Sequence, residues 1–230
     1  MNMGMKGIGV RRLALALSGI CVFIAIGAVP VYAANISFTF SGTVSDVHGG
    51  VFTSGGTGTN GFGSALPLSG AFSFNPATSD VLPGDPTWGL YPNAIQNMTV
   101  QVGNYTATFA PPPGSSVMQV VNNGLGNTFK VTLNGLTGNP VNGLSPAIFE
   151  IELINPSGSA FANDHLPTTP PSLSSFSSNQ WRLVFSGVGN RVQGALTSLV
   201  PLPAAVWLFG AGLIALIGLG SRGLVTRKES

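Results

Sequence analysis

The chain is poor in charge and almost without cysteine. Only 7% of its 230 residues are Asp, Glu, Lys or Arg, and its single cysteine is Cys21. Cys21 lies within an apolar N-terminal run, so the region beyond it has no disulfide, no thiolate metal ligand and no cysteine nucleophile. Charge is scarcer still in the middle. Between Ala34 and Leu199 three bases (Lys130, Arg182, Arg191) stand against six acids (Asp46, Asp80, Asp85, Glu150, Glu152, Asp164), a net of −3. The overall pI of about 9.0 is therefore made by the ends. Such a domain has no basic stripe with which to bind nucleic acid. Capped apolar stripes of helical period are missing as well, and no fixed-period repeat is present.

Alternation takes their place. Ile36, Phe38 and Phe40 are separated by Ser37 and Thr39; Met98, Val100 and Val102 by Thr99 and Gln101. Phe129, Val131 and Leu133 enclose Lys130 and Thr132; Phe149, Ile151 and Leu153 enclose Glu150 and Glu152. Trp181, Leu183 and Phe185 repeat the pattern. Successive strand side chains point to opposite faces, so each run carries one apolar face. Turn residues punctuate them, as in His48-Gly49-Gly50, Pro83-Gly84-Asp85 and Asn122-Asn123-Gly124. The reading is an all-β fold, a single antiparallel β-sandwich or jelly roll over 34–199. Gly55–Gly63 reads as a hairpin loop. The Pro- and Ser-rich stretch from Asn155 to Gln180 reads as a long crossover, of a length that is usually functional or mobile.

Groups capable of chemistry are few. His48 and His165 are the only histidines, each near an aspartate, Asp46 and Asp164. No G-x-S-x-G element accompanies them, and Ser157 lacks that context. Both histidines read as solvated loop residues. Glu150 and Glu152, at i and i+2, share one strand face, whereas glycosidase carboxyls face each other across a bond at ~5–9 Å. They read as the solvated side of an amphipathic strand. Asp80 and Asp85 bracket a Pro-Gly turn of a kind that can bind calcium, but two carboxylates outside a known calcium pattern assign no metal. No catalytic residue, metal or cofactor is assigned. Trp88 and Tyr91, in what reads as a loop, either stack on a sugar or plug the end of a sandwich.

Both ends read as targeting segments. Lys6, Arg11 and Arg12 precede a short apolar run, Leu13–Ala28, and Val31-Tyr32-Ala33 follows. This is the pattern of a secretory signal peptide over 1–33, with cleavage predicted after Ala33. Arg11-Arg12 lacks the polar context of the twin-arginine path. Ile20 before Cys21 is too large for lipid attachment. At the other end Val200-Pro201-Leu202-Pro203-Ala204 leads into an uncharged run over 205–220, then a basic tail over 221–230 with Arg222, Arg227 and Lys228. Ala204 to Gly220 would measure about 26 Å as a helix, enough with its neighbours for one transmembrane helix in a core of ~30 Å. Basic residues after it belong on the cytoplasmic side.

Those three parts, in that order, resemble the VPLPA-type tail of the PEP-CTERM protein-sorting family. Leu202 stands where the commoner motif has glutamate. The resemblance implies processing by an exosortase, an integral membrane, Cys-dependent transpeptidase of Gram-negative bacteria that make exopolysaccharide. Val200–Ala204 would be the recognition element, 205–220 a transient stop in the inner membrane, and the basic tail the determinant of orientation. The implied partners are signal peptidase and exosortase. The expected function is that of an exported, non-enzymatic cell-surface or matrix protein. The alternatives are a carbohydrate-binding module tethering exopolysaccharide through Trp88 and Tyr91, and an extracellular hydrolase using His165 or the acids. In a bacterial protein the sequons at Asn35, Asn97 and Asn104 are chance matches.

Overall fold

A computed structural model describes residues 34–202, apart from 112, 113, 125 and 159. The predicted signal peptide, Pro203, Ala204, the apolar run and the basic tail lie outside the described residues. Eleven strands follow in order: β1 (Ile36–His48), β2 (Pro67–Phe74), β3 (Trp88–Pro92), β4 (Ile95–Val102), β5 (Tyr105–Phe109), β6 (Ser115–Asn123), β7 (Gly126–Asn134), β8 (Thr137–Gly138), β9 (Pro146–Asn155), β10 (Ser178–Phe185) and β11 (Arg191–Pro201). Among the described residues the helical elements are two short 3-10 turns, Gly49–Val51 and Leu173–Ser175. None is long and apolar enough to cross a membrane.

Every pairing between these strands is antiparallel. The sandwich was expected to have two separate sheets. Instead one ladder runs through all eleven strands in the order β3-β6-β7-β9-β10-β11-β1-β2-β4-β5-β8. The sheet curls round a single core. Phe40 of β1 stacks on Phe149 of β9 with ring centroids 5.5 Å apart, although β11 and β10 stand between them in the ladder. Phe38, Phe72 and Phe74 meet edge-on or tilted beside them. β7 shows the cause most plainly, with every second residue from Asn127 to Leu133 buried. A sheet wet on one face must bury the other, and a sheet this wide does so by curling over its own apolar face.

The pairing of β1 with β11 is irregular. The β1–β11 register shifts between Ser41 and Gly42 and again between Val44 and Asp46. Bulges of this kind bend a strand and raise its twist. Two glycines make room for it. A Cβ on Gly194 would lie 1.8 Å from the Thr43 carbonyl oxygen, and one on Gly42 would lie 2.3 Å from that of Ala195. Only a residue without Cβ permits so close a backbone approach.

Loops seal the core. Phe62, from the Gly-rich stretch, packs on Tyr105 and Phe185 at 5.4 and 5.6 Å. The 156–177 connection between β9 and β10 is a packed cover, with Leu166 and Phe176 buried and Phe161 against Phe129 and Phe176. Asn127, fully buried, fastens it. Its Oδ1 accepts from the N–H groups of Ala160 and Phe161, and its Nδ2 donates to the Val121 carbonyl and to Asn122 Oδ1.

Candidate functional site

The outer face of the curl collects most of the domain's charge. Lys130 (β7), Glu150 and Glu152 (β9), Arg182 (β10), Gln193 (β11) and Asp46 (β1) lie on neighbouring strands. The register sets Lys130 opposite Glu152, Arg182 opposite Glu150 and Gln193, and Gln193 opposite Asp46. Arg182 donates through Nε (2.8 Å) and Nη2 to Glu150 Oε2. Lys130 Nζ lies 3.4 Å from Glu150 and 3.3 Å from Glu152. Partial burial works against ionisation of Glu150, but the Arg182 hydrogen bond and the charges of Lys130 and Arg182 outweigh it. Its carboxyl is held below its ordinary value. A carboxyl kept ionised in this way is unsuited to act as a general acid.

The polar chain continues to the histidine. Gln193 Nε2 donates to Asp46 Oδ2 at 3.2 Å and Arg191 Nε to Gln193 Oε1 at 2.9 Å, while Asp46 Oδ2 also meets His48 Nε2. Beside this chain, where β10 and β11 part company, lies a groove of about 290 Å³ walled by Ser45, Ser177, Ser178, Asn179, Gln180 and Gln193. Hydroxyls and amides line it, and Gly194 and Ala195 complete its lining. A smaller hollow bounded by Gln180, Gln193, Arg182 and both glutamates adjoins it. Such a surface suits a neutral, hydroxyl-rich ligand. The one sequence signal for the groove is the glycine inside a strand pattern at 194.

The predicted sugar pair does not form. Trp88 and Tyr91 belong to strand β3, not to a loop, and their odd spacing sends them to opposite faces. Trp88 is 44% exposed, whereas Tyr91 is 5% exposed. The Tyr91 hydroxyl donates to the Asp164 carbonyl at 3.0 Å, and burial pushes its phenol up to about 12. Tyr91 is a plug, and Trp88 alone is available at the surface. His165 is exposed and 3.8 Å from Asp164, and its own N–H donates to Asn163 Oδ1.

Asp80 and Asp85 hold their own loop. Asp85 Oδ1 accepts from the N–H and the hydroxyl of Thr87. Asp80 Oδ1 accepts from the N–H groups of Leu82 and Leu90, both at 2.9 Å. Val81 N–H in turn donates to the Leu90 carbonyl. Since β3 ends the ladder, Asp80 and Val81 cover its outer edge at Leu90. The sequence signalled a turn here and not its use as an edge cover. Among the described residues no group of three or more His, Cys, Asp or Glu side chains could hold a metal ion.

The last strand reaches into the tail motif. β11 continues through Val200 and Pro201, opposite Thr39 and Phe38, past the boundary of 199 set from sequence. The Leu202 N–H then donates to the Ser37 carbonyl at 2.9 Å. Val200 is 46% exposed and Leu199 is buried. Comparison with known proteins returned no matching family model, no matching curated protein and no matching solved structure.

Proposed function

We propose that this is an exported, non-enzymatic protein of the cell surface or extracellular matrix, released from the inner membrane when an exosortase processes its C-terminal tail. The observation that carries the reading is the tail itself: Val200 to Ala204, the uncharged run and the basic end, in one order. The described domain is consistent with it. Its acids engage bases or loop N–H groups, and its stability rests on burial without disulfides.

Peptide mass fingerprinting of the protein from its own host tests this. The surface or matrix fraction is expected to lack Ser230 and the basic tail, and deletion of the exosortase gene is expected to leave a full-length chain in the inner membrane. Full-length protein at the surface would overturn it.

A second reading, a carbohydrate-binding module for exopolysaccharide, draws on the hydroxyl- and amide-lined groove and on exposed Trp88. Pull-down with the host polysaccharide, weakened by Gln180→Ala with Gln193→Ala or by Trp88→Ala, would favour it. Absence of binding by the wild-type domain would dismiss it.

A further inference from the structure

We propose that the fold itself limits where the tail is cut: the scissile bond lies C-terminal to Leu202, because β1 clamps the chain up to that residue. The proposal rests on the reading of the tail as a processed signal. In the cut the scissile C–N bond breaks. The carbonyl carbon gains the oxygen of water or the nitrogen of an acceptor amine, and the leaving nitrogen takes the proton.

The argument begins with strand parity. The Leu202 N–H points at Ser37 of β1. Polar groups of alternate residues point to the same side of a strand. Val200, opposite Thr39, therefore also faces β1, and the Thr39 hydroxyl donates to the Val200 carbonyl at 3.4 Å. Leu199 and Pro201 turn their backbone groups to the other side. That side is open in the ladder, meaning that no strand pairs with it, because β10 pairs with β11 only from Arg191 to Ala195.

Peptidases commonly take substrates as an added strand, through main-chain hydrogen bonds. The open side of β11 is badly suited to that. Thr197 is the extra residue at the Ser41/Gly42 register shift, which breaks the ladder's spacing. Pro201 has no N–H to offer, and its missing donor falls on the open side, where proline is tolerated in sheets. Pulling Val200 to Leu202 into an enzyme cleft would break the rungs to Thr39 and Ser37 and strain the anchor at Leu199, whose side chain is 6% exposed in the core. The motif's first three residues thus present side chains, and a cut at any bond up to Leu202 would require their hold on β1 to be broken first. The predicted signal-peptide cut after Ala33 lies four residues before Ser37, so both processing points flank one rung of the sheet.

Two measurements test this and separate it from the reading it rests on. In the first, the purified full chain is digested with proteinase K. The resistant core is expected to retain Leu202; a core ending before Leu199 overturns the proposal. Thr39→Pro, which removes the N–H and the hydroxyl that Thr39 turns toward Val200, is expected to move that end upstream, as is a chain that begins at Phe38 and so has no Ser37 carbonyl to accept from Leu202. An unmoved end in both overturns the clamp. In the second, the C-terminal residue of the mature protein is read by mass spectrometry from the host. A terminus at or after Leu202 is expected. A terminus within 191–201 overturns the proposal and leaves tail processing standing. An intact Ser230 removes tail processing and the proposal with it, whatever the proteinase K result.

Discussion

Trp181 lies directly opposite Gly194 in the β10–β11 ladder, and its indole N–H reaches past that glycine to the Thr43 carbonyl at 3.3 Å. The side chain is almost wholly buried, so a donor without a partner there would be costly. The pairing joins three strands at the point where the sheet bends. It depends on the absence of a Cβ at 194.

Gly194→Ala should therefore destabilise the domain by about 1–3 kcal/mol or more, the usual cost of overpacking a tight site. Its Cβ would meet the Thr43 carbonyl backbone, which has no flexible end to yield. Gly84→Ala is the control, because nothing lies within 4 Å of the added Cβ. Urea denaturation followed by tryptophan fluorescence should lower the midpoint for the first and leave the second within about 0.5 kcal/mol of wild type. Equal midpoints would remove the glycine argument.

Acid should weaken the domain through Glu150. Its folded-state carboxyl titrates below the ordinary value of 4.5. A depressed carboxyl contributes stability that is present above the unfolded value and lost as pH falls through the folded one. Thermal midpoints measured from pH 7 down to pH 3 should fall on the acid side, below about pH 4.5. Glu150→Gln should flatten that limb relative to wild type. An acid limb of unchanged depth in the variant would show that other carboxylates set it.

Asp80→Ala should turn the β3 edge into a pairing site. The Leu90 N–H loses its acceptor, at a cost of about 1–3 kcal/mol, and an uncovered edge invites association with other chains. Light scattering at raised protein concentration should show growth of assemblies in the variant and none in Asp85→Ala, whose bonds stay within its own turn. Equal scattering from both variants would assign Asp80 no such role.

Asn127→Ala should loosen the 156–177 cover before the sheet. Ala160 and Phe161 lose the acceptor they share, again at about 1–3 kcal/mol. Hydrogen exchange should quicken across 156–177 while β7 and β9 keep their protection. Unchanged exchange in that segment would mean that its aromatic contacts alone hold it.

The strands were legible because their signal is local. In Phe129 to Leu133 or Phe149 to Leu153 the period of two is written in neighbouring residues, and burial follows it residue by residue. Trp88 to Tyr91 failed as a reading because a short edge strand beside Pro and Gly has too few alternations to show a period. Tyr91 was half understood: its role as a plug depends on Asp164, 73 residues later in the chain. Separation in sequence likewise hid the cover at Asn127, the groove between β10 and β11 and the ion cluster around Glu150.

By itself the sequence determined the class of fold and the marks of the two ends. Alternating side chains, turn residues, charge at the termini and the Val-Pro-Leu-Pro-Ala order are properties of contiguous residues and survive without a third dimension. Only the tertiary structure decided that the ladder is one curled sheet, that Tyr91 is lost to the interior, and that β1 holds β11 as far as Leu202. Those outcomes come from pairings between residues far apart in the chain. Bulges and two glycines bend the sheet at one place, and a bend there decides which distant side chains meet.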